Sequence, residues 1–180
     1  MIITIPLPAQ KYLSVALALG AAWLFVFLFS APGQAREKTS VGFLEEVRIF
    51  PGDLFLQAKI DTGADNSSLH ATSMMRIKRK GQTWVRFRVQ DQNGRRHTLE
   101  RPLVRMTGIK RDEGTRERRP VVELVICLGG VAKKVPVNLN DRSHYKYKVL
   151  VGRSFLQEDF LVDASRKFLT KPVCQEMPEP

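Results

Sequence analysis

The stretch KIDTGADNSSLH, Lys59 to His70, sets a carboxylate between an apolar run and a turn of small residues. An isolated aspartate is a poor acid–base group at neutral pH, because its ordinary pKa is about 3.9. It becomes useful when a second carboxylate is pressed against it. Two such charges cannot both ionise, so the pair shares one proton. One member then activates water while the protonated one polarises a peptide carbonyl. The neighbours of Asp61 suit that task. Gly63 lets the backbone pass close to a second carboxylate, the Thr62 hydroxyl can lock the turn, and Ala64 keeps the floor narrow. A lone D-T-G is also what an ordinary surface turn looks like. Here it follows an apolar run, LFLQAKI, and precedes SSLH, which can begin another strand.

The elements that must position Asp61 read mostly as strands. Val41 to Phe50 is rich in β-branched and aromatic residues and stops at Pro51-Gly52. Trp84 to Gln90 alternates, with Val85, Phe87 and Val89 on one face and Arg86 and Arg88 on the other, the period of a half-buried strand. Asp91 to Gly94, DQNG, is a hairpin loop, and RRHTLERPLVRM returns as its partner, with Pro102 marking an edge or bulge. Thr107 to Pro120 is polar and glycine-punctuated, and predicts a mobile loop or hairpin tip. Val121–Leu128 and Val131–Leu139 flank Gly129-Gly130 as a second hairpin. YKVLVG is a short strand, RSFLQED has room for about two helical turns, and FLVD and KFLT are closing strands. Short strands at this spacing predict an all-β barrel or sandwich.

Residues 1–35 stand apart. Leu13 to Phe29 carries no charge, Lys11 precedes it, and small residues near Ala35 resemble a cleavage site. The segment is a signal peptide or an N-terminal hydrophobic helix that anchors the chain in a membrane. Either reading exports a domain of residues 36–180, to the periplasm or to the periplasmic face of the inner membrane. The whole chain has 29 Lys and Arg against 18 Asp and Glu, a net charge of +11. Such an excess favours anionic partners. Cys127 and Cys174 form no C-x-x-C pair, which disfavours a thiolate metal site. In an oxidising compartment they could pair or stay free.

IDTGADNSSL resembles the active-site loop of the retropepsin-like aspartic proteases, and VLVGRSFL, Val149 to Leu156, resembles their second signature, an apolar run followed by G-R and a short helix. A nearer resemblance is to a bacterial branch often labelled ATP-dependent zinc proteases, carried by DTGA, SSLHA and FLVD. The resemblance implies a closed retropepsin-like barrel with one short helix. It implies that Asp61 is catalytic, that Thr62, Gly63 and Ala64 shape its loop, and that Asp65 pairs with Arg153. Gly152 would allow close packing beneath the loop. Only one D-T-G is present, so the resemblance also implies a homodimer in which two copies of Asp61 meet. The other possible partner, Asp163 in FLVD, lacks the small-residue shoulder.

The expected activity is that of an aspartic endopeptidase on a peptide or protein substrate, with acidic substrates suggested by Arg111, Arg116, Arg118 and Arg119. The flap over the site is either the 91–94 hairpin or the 107–120 stretch. No cofactor is expected. His70, His97 and His144 are dispersed with no H-E-x-x-H, so no metal is expected, and no phosphate-binding G-x-x-x-x-G-K-[ST] exists for ATP. His70 either orients a loop carbonyl or is a satisfied core residue. The competing function is an exported basic β-domain that binds an anionic polymer, lipid or acidic protein without cleaving it. Nucleic acid is disfavoured by export.

Overall fold

The computed structural model describes residues 37–110, 116–175 and 178–179. The expected N-terminal helix, and with it the signal or anchor, lies outside the described residues. Among those described, no helix is long and apolar enough to cross a membrane.

Alternation in the sequence becomes alternation in burial. β1 (Thr39–Gly42), β2 (Leu44–Phe50) and β3 (Leu54–Ile60) open the domain. In β3, Leu54, Leu56, Ala58 and Ile60 are buried, and the residues between them are not. The chain turns between β2 and β3 at Gly52, whose φ of +105° lies in the region that glycine tolerates best. β4 (Ser67–His70) follows the Asp61 loop. Next come β5 (Thr72–Arg79), β6 (Gln82–Gln90) and β7 (Arg96–Pro102), an antiparallel three-stranded sheet. Val85, Phe87 and Val89 of β6 point inward, as their spacing predicts. On the outer face Arg86 donates to Glu100 at 2.7 Å.

β8 (Arg105–Lys110), β9 (Arg116–Leu128), β10 (Val131–Asn140), β11 (Val149–Val151), the helix α1 (Arg153–Leu156) and β12 (Phe160–Asp163) complete the chain. The main sheet runs β10-β4-β11-β3-β2-β9, and β9 pairs again with β10. Six strands therefore close into a barrel with no free edge, and β8 extends β9. Leu69, Leu124, Ile126, Leu139, Val151 and Phe155 are fully buried within it.

Three elements differ from expectation. Val41–Phe50 is not one strand: it breaks at Phe43, sending β1 to pair with β12 and β2 into the barrel. Gly42 permits the break, since a Cβ there would lie 2.6 Å from Lys167 Cα. Of the two expectations for the 107–120 stretch, loop or hairpin tip, the described residues 107–110 and 116–120 take the hairpin. β8 and β9 pair from Arg105↔Val121 to Lys110↔Arg116, because a regular ladder satisfies backbone groups whatever the polarity of the side chains. The helix is one turn, and Glu158 at φ +75° lies beyond its end. KFLT is not a strand. Its donors go to a carboxylate instead: the buried Glu45 accepts from Leu169 N at 2.9 Å and Thr170 N at 3.2 Å, and from Gly42 N.

Cys127 and Cys174 are joined, with Cα atoms 6.1 Å apart and a sequence separation of 47. The bond holds the C-terminal segment against β9. A loop of that length corresponds to about 4 kcal/mol in the chain-entropy account. Glu45 and the disulfide thus fasten the same segment at two points. Glu45→Ala strands several buried N–H donors and should lower stability by about 3 kcal/mol in urea unfolding. A loss under 1 kcal/mol would show that water replaces the carboxylate.

Candidate active site

Asp61 stands where β3 leaves the barrel. Its backbone N–H donates to Val151 O at 2.9 Å, which joins the loop to the end of β11. Its Oδ1 accepts the Gly63 N–H at 3.0 Å. A Cβ on residue 63 would sit 3.2 Å from that same oxygen. Glycine therefore brings a backbone donor onto the carboxylate without crowding it. Oδ2 lies 3.7 Å from Lys59 Nζ, and the Asp61 side chain stays 25% exposed. The Ala64 N–H closes the turn on Asp61 O at 3.3 Å. Thr62 is exposed, and its carbonyl accepts from the Arg153 guanidinium at 2.9 Å.

α1 holds the loop from below. Arg153 N donates to Ala64 O, and Ser154 N donates to Asp65 O, at 2.9 and 3.0 Å. The Arg153 side chain lies 3.6 Å from Asp65 Oδ1, with both groups largely exposed. An exposed pair of this kind contributes about 0–1 kcal/mol, so its two-point geometry matters more than its energy. Gly152 leaves no room for a side chain, because a Cβ would fall 2.7 Å from Asn66 C and 2.9 Å from Asp65 O. Ser67 Oγ accepts the Gly152 N–H at 3.2 Å.

Behind the loop, β4 and β10 present a polar face. Ser68 donates to Asn140 Oδ1 at 2.9 Å. Arg142, 7% exposed, donates through Nε to Tyr147 O at 3.3 Å and through Nη1 to Ser68 Oγ at 3.4 Å. Its guanidinium stacks over the Tyr145 ring at 4.6 Å. Burial pushes its pKa below the usual arginine range; the Arg119 charge acts the same way, and Tyr145 and Asp61 act against it. Sequence reasoning missed Arg142. It sits in the polar loop DRSHYKYK with no motif around it, and its partner Ser68 is 74 residues away.

His70 is a satisfied residue at the far end of β4. Its Nδ1 accepts the Arg142 N–H at 2.8 Å, so the ring carries its proton on Nε2 when neutral. Asp141 Oδ1 lies 3.5 Å away. Burial first, then the Lys148 charge, push the His70 pKa below 6.5, and Asp141 partly opposes them. His97 is occupied by Asp91 at 3.1 Å, and His144 is exposed. Among the described residues no three His, Cys, Asp or Glu side chains converge, and His70 Nδ1 is already an acceptor for the Arg142 N–H. This donor set does not fit a zinc ion. Asp163, the alternative internal partner, is occupied by Ser165 and by Arg166 Nε at 2.6 Å, which hold its pKa at about 2.

A family model described as the retropepsin-like aspartic endopeptidase RimB matches residues 40–172. The chain belongs to the RimB-like family. Its curated relatives include a probable alpha-L-glutamate ligase of Shewanella pealeana, 38% identical over 129 residues, which are 69% of this chain and 28% of the relative. Another from Shewanella halifaxensis is 37% identical over the same shares. The chain therefore spans little more than a quarter of these ligases. A crystal structure of a Legionella pneumophila protein of unknown function matches with TM-score 0.66 at 33% identity, covering 75% of this chain and 100% of the other. The retropepsin-like barrel and the two motifs of this RimB-like chain thus agree.

Two outcomes follow for the site. Gly152→Ala forces a methyl into backbone and should cost about 2–4 kcal/mol by thermal or urea unfolding; a neutral result would show that α1 can slide. For His70, the folded ring favours the neutral form, so its contribution is present above the unfolded pKa and is lost as pH falls through the lower folded value. An NMR titration should place the His70 midpoint below 6.5, and a midpoint above it would reverse the sign.

Proposed function

We propose that the chain is an aspartic endopeptidase that works as a homodimer, with one Asp61 from each subunit. The observation that carries this reading is the Asp61 carboxylate itself. It is partly exposed, held by a backbone N–H at 3.0 Å, and fixed on both sides of a rigid loop. A single copy supplies one such group, and Asp163 is engaged in its own turn. Two-fold symmetry supplies the second.

In the dimer one proton is shared by two carboxylates. The ionised member takes a proton from water as the water oxygen attacks the peptide carbonyl carbon. The protonated member gives its proton to the carbonyl oxygen. On collapse of the tetrahedral diol the protonated carboxyl gives its proton to the leaving amine while the other carboxylate takes one from a diol hydroxyl, so the pair ends with one proton as it began. The β8–β9 hairpin is the proposed flap, closing over substrate to exclude water.

Acidic peptides are the proposed substrates. Arg118 and Arg119 lie on the hairpin and Arg142 lies behind the loop, which supports an anionic ligand. The relatives named as glutamate ligases point the same way, toward glutamate-containing chains, although the ligase activity is not carried over to this shorter chain. Residues 1–35 are the proposed signal or membrane anchor. The Cys127–Cys174 bond favours an exported, oxidising location.

Asp61→Asn should reduce peptide cleavage by about a thousandfold or more without altering dimer formation. Sedimentation should find dimers at the concentrations that give activity. A monomer that retains full activity removes the dimer mechanism, and cleavage that survives Asp61→Asn removes the aspartic mechanism altogether.

A further inference from the structure

On the outer face of the β5–β6–β7 sheet, the arginines of β6 meet different neighbours along the strand. Register sets Arg86 opposite Glu100 of β7, and Glu100 accepts from both Arg86 and Arg79. Two residues on, Arg88 stands between Thr72 of β5 and Thr98 of β7, and next along Arg96 stands opposite Gln90. Cross-strand partners share a face, so two short threonines flank one long arginine. Arg88 and Arg96 are exposed and form no ion pair among the described residues. A hollow of about 230 Å³ lies here, lined by His70, Thr72, Arg88, Val89, Gln90 and Arg96, with no carboxylate. His70 brings a further donor. Its Nδ1 accepts the Arg142 N–H at 2.8 Å, so the neutral ring carries its proton on Nε2, which has no partner among the described residues. A larger hollow of about 430 Å³ shares His70 and Gln90 with the first, and adds Lys146, Tyr147 and Lys148. Its one acid, Asp91, is already engaged: Oδ1 accepts the Asn93 and Arg95 N–H groups, and Oδ2 meets Arg95 Nε and His97 Nε2.

We propose that the smaller hollow is a phosphoryl-binding site, formed by Arg88, Arg96, Thr72 and the His70 N–H, for a small phosphomonoester whose organic part lies in the larger hollow beside Tyr147. Four donors reach one hollow from four strands, β4, β5, β6 and β7. Two of them are guanidinium groups, whose planar forks match pairs of phosphate oxygens. A phosphomonoester carries close to two negative charges and three acceptor oxygens, which answers two unneutralised cations and the two neutral donors. A run of carboxylates suits the place less well, since it would have to pass Asp91 in the larger hollow. No residue of the Asp61 loop or of α1 lines either hollow. The site is therefore separate from the candidate active site, and it does not rest on the peptidase reading.

The experiment is an NMR titration of the full chain at about pH 7.5, where a phosphomonoester is mainly dianionic. Inorganic phosphate, phenyl phosphate, dimethyl phosphate and a glutamate peptide are added at fixed ionic strength, and the ring signals of His70 and His144 are followed. The expected result is a saturable shift of His70 with His144 unmoved. Phenyl phosphate should bind at least as tightly as phosphate, and dimethyl phosphate and the peptide more weakly than either. Arg88→Gln combined with Arg96→Gln should weaken phosphate binding by about tenfold or more, because each change removes a charge-assisted hydrogen bond. Both side chains are exposed, so the urea midpoint should stay where it was. Lys78→Gln combined with Lys80→Gln removes the same charge at the β5–β6 turn and should leave binding intact. No saturable shift in the unaltered chain, unchanged affinity in the arginine variant, or an equal loss in the lysine variant overturns the site. Phenyl phosphate binding more weakly than phosphate overturns the monoester. Dimethyl phosphate, the diester form of lipid headgroups, binding as tightly as phosphate would move the site to a lipid, and the glutamate peptide doing so would move it to an acidic protein; either result overturns the proposal.

Discussion

The site depends on one crowded crossing. β11 lies between β3 and β4 and pairs with both, so Val149 faces Ala58 on one side and Leu69 on the other. The loop that joins β3 to β4 must therefore arch over the end of β11. At that point the next residue, Gly152, meets the backbone of Asp65 and Asn66 with no space for a methyl. Two backbone segments in such contact leave the Asp61 loop a single course. Hydrogen bonds from Asp61 N to Val151 O, and from Arg153 N to Ala64 O, then fix its height and tilt. The helix is only one turn long, but its length is not what matters. Its first N–H groups are spent on the loop carbonyls, and Lys133 Nζ caps its other end at Phe155 O and Gln157 O.

How much of this the sequence carries follows from the range of each interaction. β3, β6 and the 129–130 turn are local patterns, and the chain writes them as period-two alternation and paired glycines. The two signatures around Asp61 and Gly152 are also local, each within about ten residues, and their joint occurrence fixes the barrel by resemblance. The break at Phe43 is not written locally. It arises because Arg166 and Lys167 fold back onto Gly42, more than 120 residues away in the chain. KFLT fails as a strand for a similar reason: a single buried carboxylate at Glu45 outcompetes a ladder for its donors. In the 107–120 stretch polarity left loop and hairpin both open, because it reports exposure of side chains and says little of backbone pairing.

The site divides along the same line. The loop residues are legible from their motif, and the Asp65–Arg153 contact from the family resemblance that the motif carries. Arg142 is not, since a lone arginine in a tyrosine- and lysine-rich loop reads as solvated charge. Only the fold places it against Ser68 and turns it into a buried group. His70 shows the converse. A histidine beside a catalytic-looking loop invites a chemical role, yet its acceptor nitrogen is used by a backbone N–H at 2.8 Å, which ties the 141–147 loop to β4. Its place in the architecture is to hold Arg142, not to handle a proton for substrate.

Charge and topology together bear on whether the protein cleaves or only binds. A basic surface that merely attracts anions would carry its cations where water can screen them, as Arg95 and Arg166 are here, both more than half exposed. Arg142 is instead withdrawn from water, with its guanidinium over the Tyr145 ring. Burying it sacrifices solvation, and its hydrogen bonds to Tyr147 O and Ser68 Oγ offset part of that by tying the 141–147 loop to β4. The closed barrel leaves the Asp61 loop at one end of β3, with the carboxylate a quarter exposed.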